Sequence, residues 1–243
     1  PTPEGHMLMR LLRWTIPAIA CSLGLIYASP ASASIIWNGD AAGGTGVFSS
    51  ILCDSPGSVT AQDNNDGRGQ VFKFNKPLGL ERCEAHGISV GGSRYTFKNN
   101  STYYLGWDTS TNTPDAATIF QWKSYGTGDQ HQQNYPVLMK VEGGQLKLFY
   151  IAPGEDWQLK WSTPVETSTY KRIVLGIHTS SDASSGWVEA YYNGTKVAEF
   201  SGRTWDDLGN DIRWGTYGAE VQDKRVINWI DDLKVGTTYG DVD

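Results

Sequence analysis

Three short segments of this sequence carry ionisable or hydrogen-bonding residues at a spacing of two: Arg82-x-Glu84-x-His86, Gln121-x-Lys123 and Arg213-x-Gly215-x-Tyr217. In a β-strand, residues two apart point to the same face. Each segment therefore presents its polar groups as a row. Three ionisable side chains in a row on a mid-chain strand, Arg82, Glu84 and His86, suggest a polar cleft. Gln121 donates hydrogen bonds without a charge of its own, and Lys123 adds an ammonium. Gly215 leaves space beside Tyr217 for close approach of a ligand or of backbone. Each segment also has a plainer reading: a solvated face with a weak Arg–Glu pair, a surface glutamine, and a glycine that relieves sheet curvature.

The elements that must position these rows are strands. After Ser34 there is no long helical period, no internal repeat and no linker, and short alternating runs are separated by turn residues. The clearest strands are Gln70–Phe74, Arg82–Val90, Thr102–Asp108 and Thr118–Ser124. Hairpins are expected at Glu142-Gly143-Gly144, between Val137–Val141 and Gln145–Tyr150, and at Asn193-Gly194, between Trp187–Tyr192 and Lys196–Phe200. Trp157–Trp161, Tyr170–Thr179, Ile212–Gly218 and Ile227–Val235 complete the set. Cys53–Asn65 reads as a loop and Thr204–Asn210 as holding a short helical turn. The expected fold is all-β: a single-domain β-jelly roll over residues 34–243, a concanavalin-like two-sheet antiparallel sandwich. In Phe120-Gln121-Trp122-Lys123 the aromatics then face inward and Gln121 and Lys123 outward.

Residues 1–33 have the pattern of a secretory signal: Met7, basic Arg10 and Arg13, an apolar run Trp14–Tyr27, and the small residues Ala31-Ser32-Ala33. A secreted, extracellular chain is expected, with Pro1–His6 lying ahead of the start. Loss of Glu4, Arg10 and Arg13 would take the formal charge from −6 to −7. That balance argues against nucleic acid or an anionic membrane as partner. It leaves room for a locally basic cleft in a monomer. The remaining cysteines, Cys53 and Cys83, suit one disulfide in an oxidising compartment. The glycosylation patterns at Asn99, Asn100 and Asn193 matter only in a eukaryotic host, and Asn193 also suits a hairpin turn.

Taken in order, Arg-x-Glu-x-His, Phe-Gln-Trp-Lys and a late Gly-x-Tyr resemble the jelly-roll polysaccharide lyases. Family 7 alginate lyases carry Arg-x-Glu-x-Arg, Gln-x-His and Lys-x-Gly-x-Tyr in the same order. Here His86, Lys123 and Arg213 stand at the second Arg, the His and the Lys. The stretches Tyr104-Leu105-Gly106-Trp107, Ile119–Ser124 and Asn134-Tyr135-Pro136-Val137 are more similar to polysaccharide lyase family 20, the glucuronan lyases. The terminal Ile230–Val235 is common to many jelly rolls.

The resemblance implies β-elimination on β-1,4-linked glucuronan, an anionic polysaccharide. It assigns Gln121 to neutralising the uronate carboxylate and Tyr217 to proton transfer, with His86 a second candidate for either role. Arg82, Lys123 and Arg213 would make the cleft positive, and Glu84 would orient Arg82 or His86. Trp107, Tyr191 and Trp187 are candidates for stacking sugar rings, although most strand aromatics are core. His178 is a further candidate contact, and His131 lies in a polar loop of residues 126–134. No cofactor is required for this chemistry. Jelly rolls of this kind often hold a structural calcium, for which Asp40 and Asp231 are the expected ligands; the alternative is that they are ordinary turn and strand-end carboxylates. Two rival functions remain: another polyuronate lyase such as an alginate lyase, and a non-catalytic carbohydrate-binding module. A retaining glycosidase would need two neighbouring carboxylates, and no such run is present.

Overall fold

Alternating apolar residues form two antiparallel sheets whose inner faces pack on each other. The computed structural model describes residues 1–2, 34–124 and 135–243. The expected signal segment and His131 lie outside them. The first strands are β1 (Ile35–Gly39), β2 (Phe48–Cys53), β3 (Ser58–Asp63), β4 (Gln70–Lys76), β5 (Arg82–Val90) and β6 (Ser93–Arg94). β7 (Thr102–Thr111), β8 (Ala117–Ser124), β9 (Val137–Glu142), β10 (Gln145–Ala152) and β11 (Asp156–Pro164) follow. The last are β12 (Lys171–His178), β13 (Trp187–Tyr192), β14 (Thr195–Ser201), β15 (Asn210–Tyr217) and β16 (Val226–Gly236).

One sheet runs β14-β13-β12-β7-β16-β4-β3, with β1 also paired to β16. The other runs β11-β10-β9-β8-β15-β5-β2, with β6 paired to β5. This is the expected two-sheet jelly roll. Cys53 and Cys83 sit opposite each other on β2 and β5 and are disulfide-bonded. Asn193 and Gly194 both have positive φ, 47° and 77°, as a two-residue hairpin turn requires.

Two local expectations are corrected. Cys53–Asn65 is not simply a loop, because Ser58–Asp63 pairs with β4 as an edge strand. Its apolar signal is only Val59 and Ala61, which pack at the margin of the core. Thr204–Asn210 holds a turn and no helix.

Aromatic rings fill the space between the sheets. Trp107 on β7 stacks on Phe120 of β8 at 4.9 Å and meets Trp214 of β15 edge-on at 6.1 Å. All three are buried. Burying each such side chain contributes roughly 1.5–3 kcal/mol.

The central strands are irregular where the polar rows lie. On β8, the consecutive residues Ile119 and Phe120 both pack into the core, which strict alternation forbids. The register between β8 and β9 accordingly slips between Thr118 and Phe120. On β15, Trp214 faces Phe120 but Tyr217 faces Thr118, so β15 carries one extra residue there. Gly215 takes a φ of +136° in this bulge. A Cβ at Gly215 would lie 2.3 Å from the Cys83 carbonyl oxygen, so the close approach is by backbone. The buried Asn228 of the opposite sheet donates to the Gly215 carbonyl at 2.9 Å and accepts from Thr109 at 3.0 Å, pinning the bulge across the sandwich.

Candidate active site

Pairing brings the three polar segments side by side on β5, β15 and β8. One cross-strand row is His86–Arg213–Gln121, continued by Leu138 of β9 and Phe149 of β10. A second row is Arg82–Tyr217–Thr118–Lys140. The bulge lets Arg213 and Tyr217 match Gln121 and Thr118 on one face although their spacings differ by a residue. Over these rows lies a cleft of about 600 Å³, whose lining includes Arg82, Gln121, Lys123, Tyr135, Lys140, Trp157, Arg213 and Tyr217.

The amide of Gln121 is held from below. Its Nε2 donates to Glu84 Oε1 at 2.8 Å, and Glu84 Oε2 lies 3.9 Å from Arg213 Nη1. Glu84 is only 2% exposed, so burial pushes its carboxyl upward, with Arg213 and Gln121 opposing the shift. Glu84 therefore supports Gln121 and Arg213, and it lies outside the lining of the cleft. Arg213 is itself 4% exposed, and burial lowers its pKa.

His86 is 8% exposed. Burial first, then Arg213 and Arg94, lowers its pKa to about 4, so it is neutral near pH 7. Arg94 Nη2 lies 3.3 Å from His86 Nε2, and a guanidinium can only donate, so Nε2 accepts and the ring proton sits on Nδ1. Arg94 is fixed in turn by Asp211, which accepts from its Nε at 2.8 Å. Lys123 has its pKa lowered to about 8, by burial and then by Arg213. Its Nζ donates to the Ser124 carbonyl at 2.9 Å and lies 5.6 Å from the Tyr135 ring. The Arg82 guanidinium lies 4.5 Å from the centre of the Tyr217 ring.

Four expected substrate contacts lie elsewhere. Trp107 is wholly buried core and cannot stack a sugar. His178, Trp187 and Tyr191 belong to β12 and β13 of the other sheet. His178 stacks on Trp187 at 5.9 Å and pairs with Thr102 at 3.0 Å, and Tyr191 packs on Tyr239 at 4.3 Å. The two residues expected to hold calcium have protein partners. Asp40 caps a short turn through Ala42 N at 2.8 Å, and Asp231 accepts from Arg68 at 3.0 Å. Among the described residues no three His, Cys, Asp or Glu side chains group as metal ligands, whereas calcium takes six to eight oxygens.

Tyr135, Lys140, Trp157 and Arg94 were missed as site residues. The signal for Lys140 was its place as the one charge in Val137–Val141. For Trp157 it was a large aromatic in the mostly polar run Asp156–Lys160. Arg94 lies on a two-residue strand that carries no periodic signal.

A two-sheet jelly roll with a cleft of cationic, amide and phenolic groups across one sheet has the architecture of the jelly-roll lyases. The sequence signature of the polysaccharide lyase family matches residues 49–234, and the chain belongs to that family. No curated protein is similar enough in sequence to match. Among solved structures, the fold is similar to the endo-β-1,4-glucuronan lyase of the fungus Trichoderma reesei, with a TM-score of 0.61 and 19% identity over 81% of this chain and 93% of that one. It is also similar to an alginate lyase from Chlorella virus, with a TM-score of 0.56 and 13% identity over 84% and 100% of the two chains. A marine family 7 alginate lyase from Zobellia galactanivorans gives a TM-score of 0.53 and 18% identity over 79% and 95%. At these identities the likeness concerns the fold.

Proposed function

We propose that this polysaccharide lyase cleaves β-1,4-linked glucuronan by β-elimination, leaving an unsaturated uronate at the new end. The observation that carries the reading is the row His86–Arg213–Gln121 with Tyr217 beside it across the bulge. Elimination removes the C5 proton, builds charge on the adjacent carboxylate and expels the C4 oxygen. Gln121, oriented by Glu84, donates to the carboxylate as that charge grows, with Arg213 and Lys123 adding positive potential. Arg82 suits recognition of a carboxylate by its planar fork.

Tyr217 takes the C5 proton and returns one to the C4 oxygen. In a glucuronate ring these two groups lie on the same side, so one residue serves both steps. His86, like Gln121, is a neutral member of the row, a hydrogen-bond donor through Nδ1 and not the base. The test is Tyr217→Phe, which removes one oxygen at the cleft surface. Turnover of glucuronan should vanish with the melting temperature unchanged, and near-full activity in that variant would remove Tyr217 from the mechanism. We further propose that the protein acts outside the cell, in keeping with its signal-like N-terminal pattern and its disulfide.

A further inference from the structure

The cleft has two chemically different halves. Around Gln121 the lining is cationic, with Arg82, Lys123 and Arg213. Toward β11 it is aromatic. Trp157 is 44% exposed, yet its ring is braced by Tyr135 at 5.7 Å and by Phe149 at 5.5 Å. The cation on this side, Lys140, is engaged by two carboxylates, Glu142 at 3.0 Å and Glu220 at 2.9 Å. Its Nζ lies 5.9 Å from the Trp157 ring. A lysine balanced in this way offers little net attraction to a further carboxylate. An indole that is fixed at its edges and open to the cleft offers a flat apolar face. β11 lies three strands from β8 and Gln121, about 14 Å at the usual strand spacing. A few pyranose rings span that distance.

We propose that Trp157 forms a distal subsite that binds a pyranose ring of the polysaccharide by stacking and does not read that ring's carboxylate. The inference rests on the cleft being the polysaccharide site proposed above. Tyr135 and Phe149 position the indole, and Glu142 and Glu220 keep Lys140 from acting as a second carboxylate anchor. The reactive ring is then selected by charge at Gln121 and Arg213, and its distal neighbour by shape. A uronate or a neutral hexose serves equally in the distal position.

The test is equilibrium binding of glucuronan oligomers of graded length, by calorimetry, to the full chain carrying Gln121→Ala, with and without Trp157→Ala or Trp157→Phe. Loss of the indole should weaken binding about five- to tenfold for oligomers long enough to reach β11. Shorter oligomers should bind alike, and Trp157→Phe should keep most of the affinity. Long oligomers with a neutral distal sugar should show the same dependence on Trp157. Equal binding by Trp157→Ala at every length, in a protein whose melting temperature is unchanged, would overturn the subsite. So would a dependence on Trp157 that disappears with a neutral distal ring. Elimination by the unmodified protein is read separately. Binding that depends on Trp157 without any unsaturated product would sink the lyase assignment and leave the subsite standing, and the converse result would sink the subsite alone.

Discussion

Gly215→Ala should damage both stability and turnover, because the bulge that places Tyr217 has no room for a methyl group. The added Cβ would sit 2.3 Å from the Cys83 carbonyl oxygen, 2.8 Å from Glu84 Cα and 3.0 Å from Phe74. Ordinary contact begins near 3.4 Å, so β15 and β5 would have to part by roughly 1 Å at this point. Overpacking of this kind costs about 1–3 kcal/mol. The φ of +136° at Gly215 adds strain of about 1–3 kcal/mol for any residue with a side chain. The expected destabilisation is therefore about 2–6 kcal/mol, read as a lower urea midpoint at unchanged slope. The same displacement moves Arg213 and Tyr217 relative to Gln121, and a misplacement of about 1 Å can cost on the order of 100-fold in rate. Turnover should be measured well below the melting temperature so that only folded protein is compared. A Gly215→Ala protein within about 0.5 kcal/mol of the parent, with full activity, would refute the claim that this bulge sets the site.

The other predictions are independent of that one. Gln121→Ala should lower kcat about 100- to 1,000-fold, the usual loss for one donor to a developing anion, while circular dichroism stays near that of the parent and melting falls, because the buried Glu84 carboxyl loses its donor. Because the Lys123 pKa is lowered to about 8 by burial and Arg213, kcat/KM for a polyuronate should fall as pH rises through that value; Lys123→Arg should move the fall to higher pH. His86 has a folded pKa near 4, below its unfolded value of 6.5, so the unfolded chain binds the extra proton between those values. Stability should be unaffected by His86 above about pH 6.5 and decline as pH falls toward 4, and His86→Phe should flatten that part of a urea-midpoint profile. Lys76 is fully buried and donates to the carbonyls of Pro77, Leu80, Val221 and Lys224 at 2.5–3.2 Å. Lys76→Met should cost about 3 kcal/mol or more through the stranded carbonyls, and hydrogen exchange should quicken across residues 219–225 beside the cleft.

Much of the sandwich was legible because its strands announce themselves locally. Arg82–Val90 and Trp187–Tyr192 match the observed β5 and β13 from end to end, since alternation and flanking glycines act over a few residues. β2 and β3 were not legible: they pair at the sheet margins, and their serines and threonines carry little apolar period. The rows Arg82–Glu84–His86, Gln121–Lys123 and Arg213–Tyr217 were visible as same-face polar residues, and pairing places them on adjacent strands. The bulge on β15 was signalled by Gly215 alone, and the slip on β8 only by the consecutive apolar pair Ile119-Phe120, which alternation cannot interpret. Trp107 shows the limit of residue type as a guide. A tryptophan in the core and one at a cleft mouth look alike in sequence, and only the layer it faces distinguishes Trp107 from Trp157. Asp231 shows another limit. Its partner Arg68 lies 163 positions away, and no local pattern indicates that contact.

The most direct measurement is the ultraviolet absorbance of the unsaturated uronate product while the protein is incubated separately with glucuronan, alginate and a neutral β-glucan. The account predicts a steady rise with glucuronan and none with the other two. A rise with alginate alone would keep the elimination chemistry and contradict the substrate, and binding of polyuronates with no rise at all would contradict the central claim.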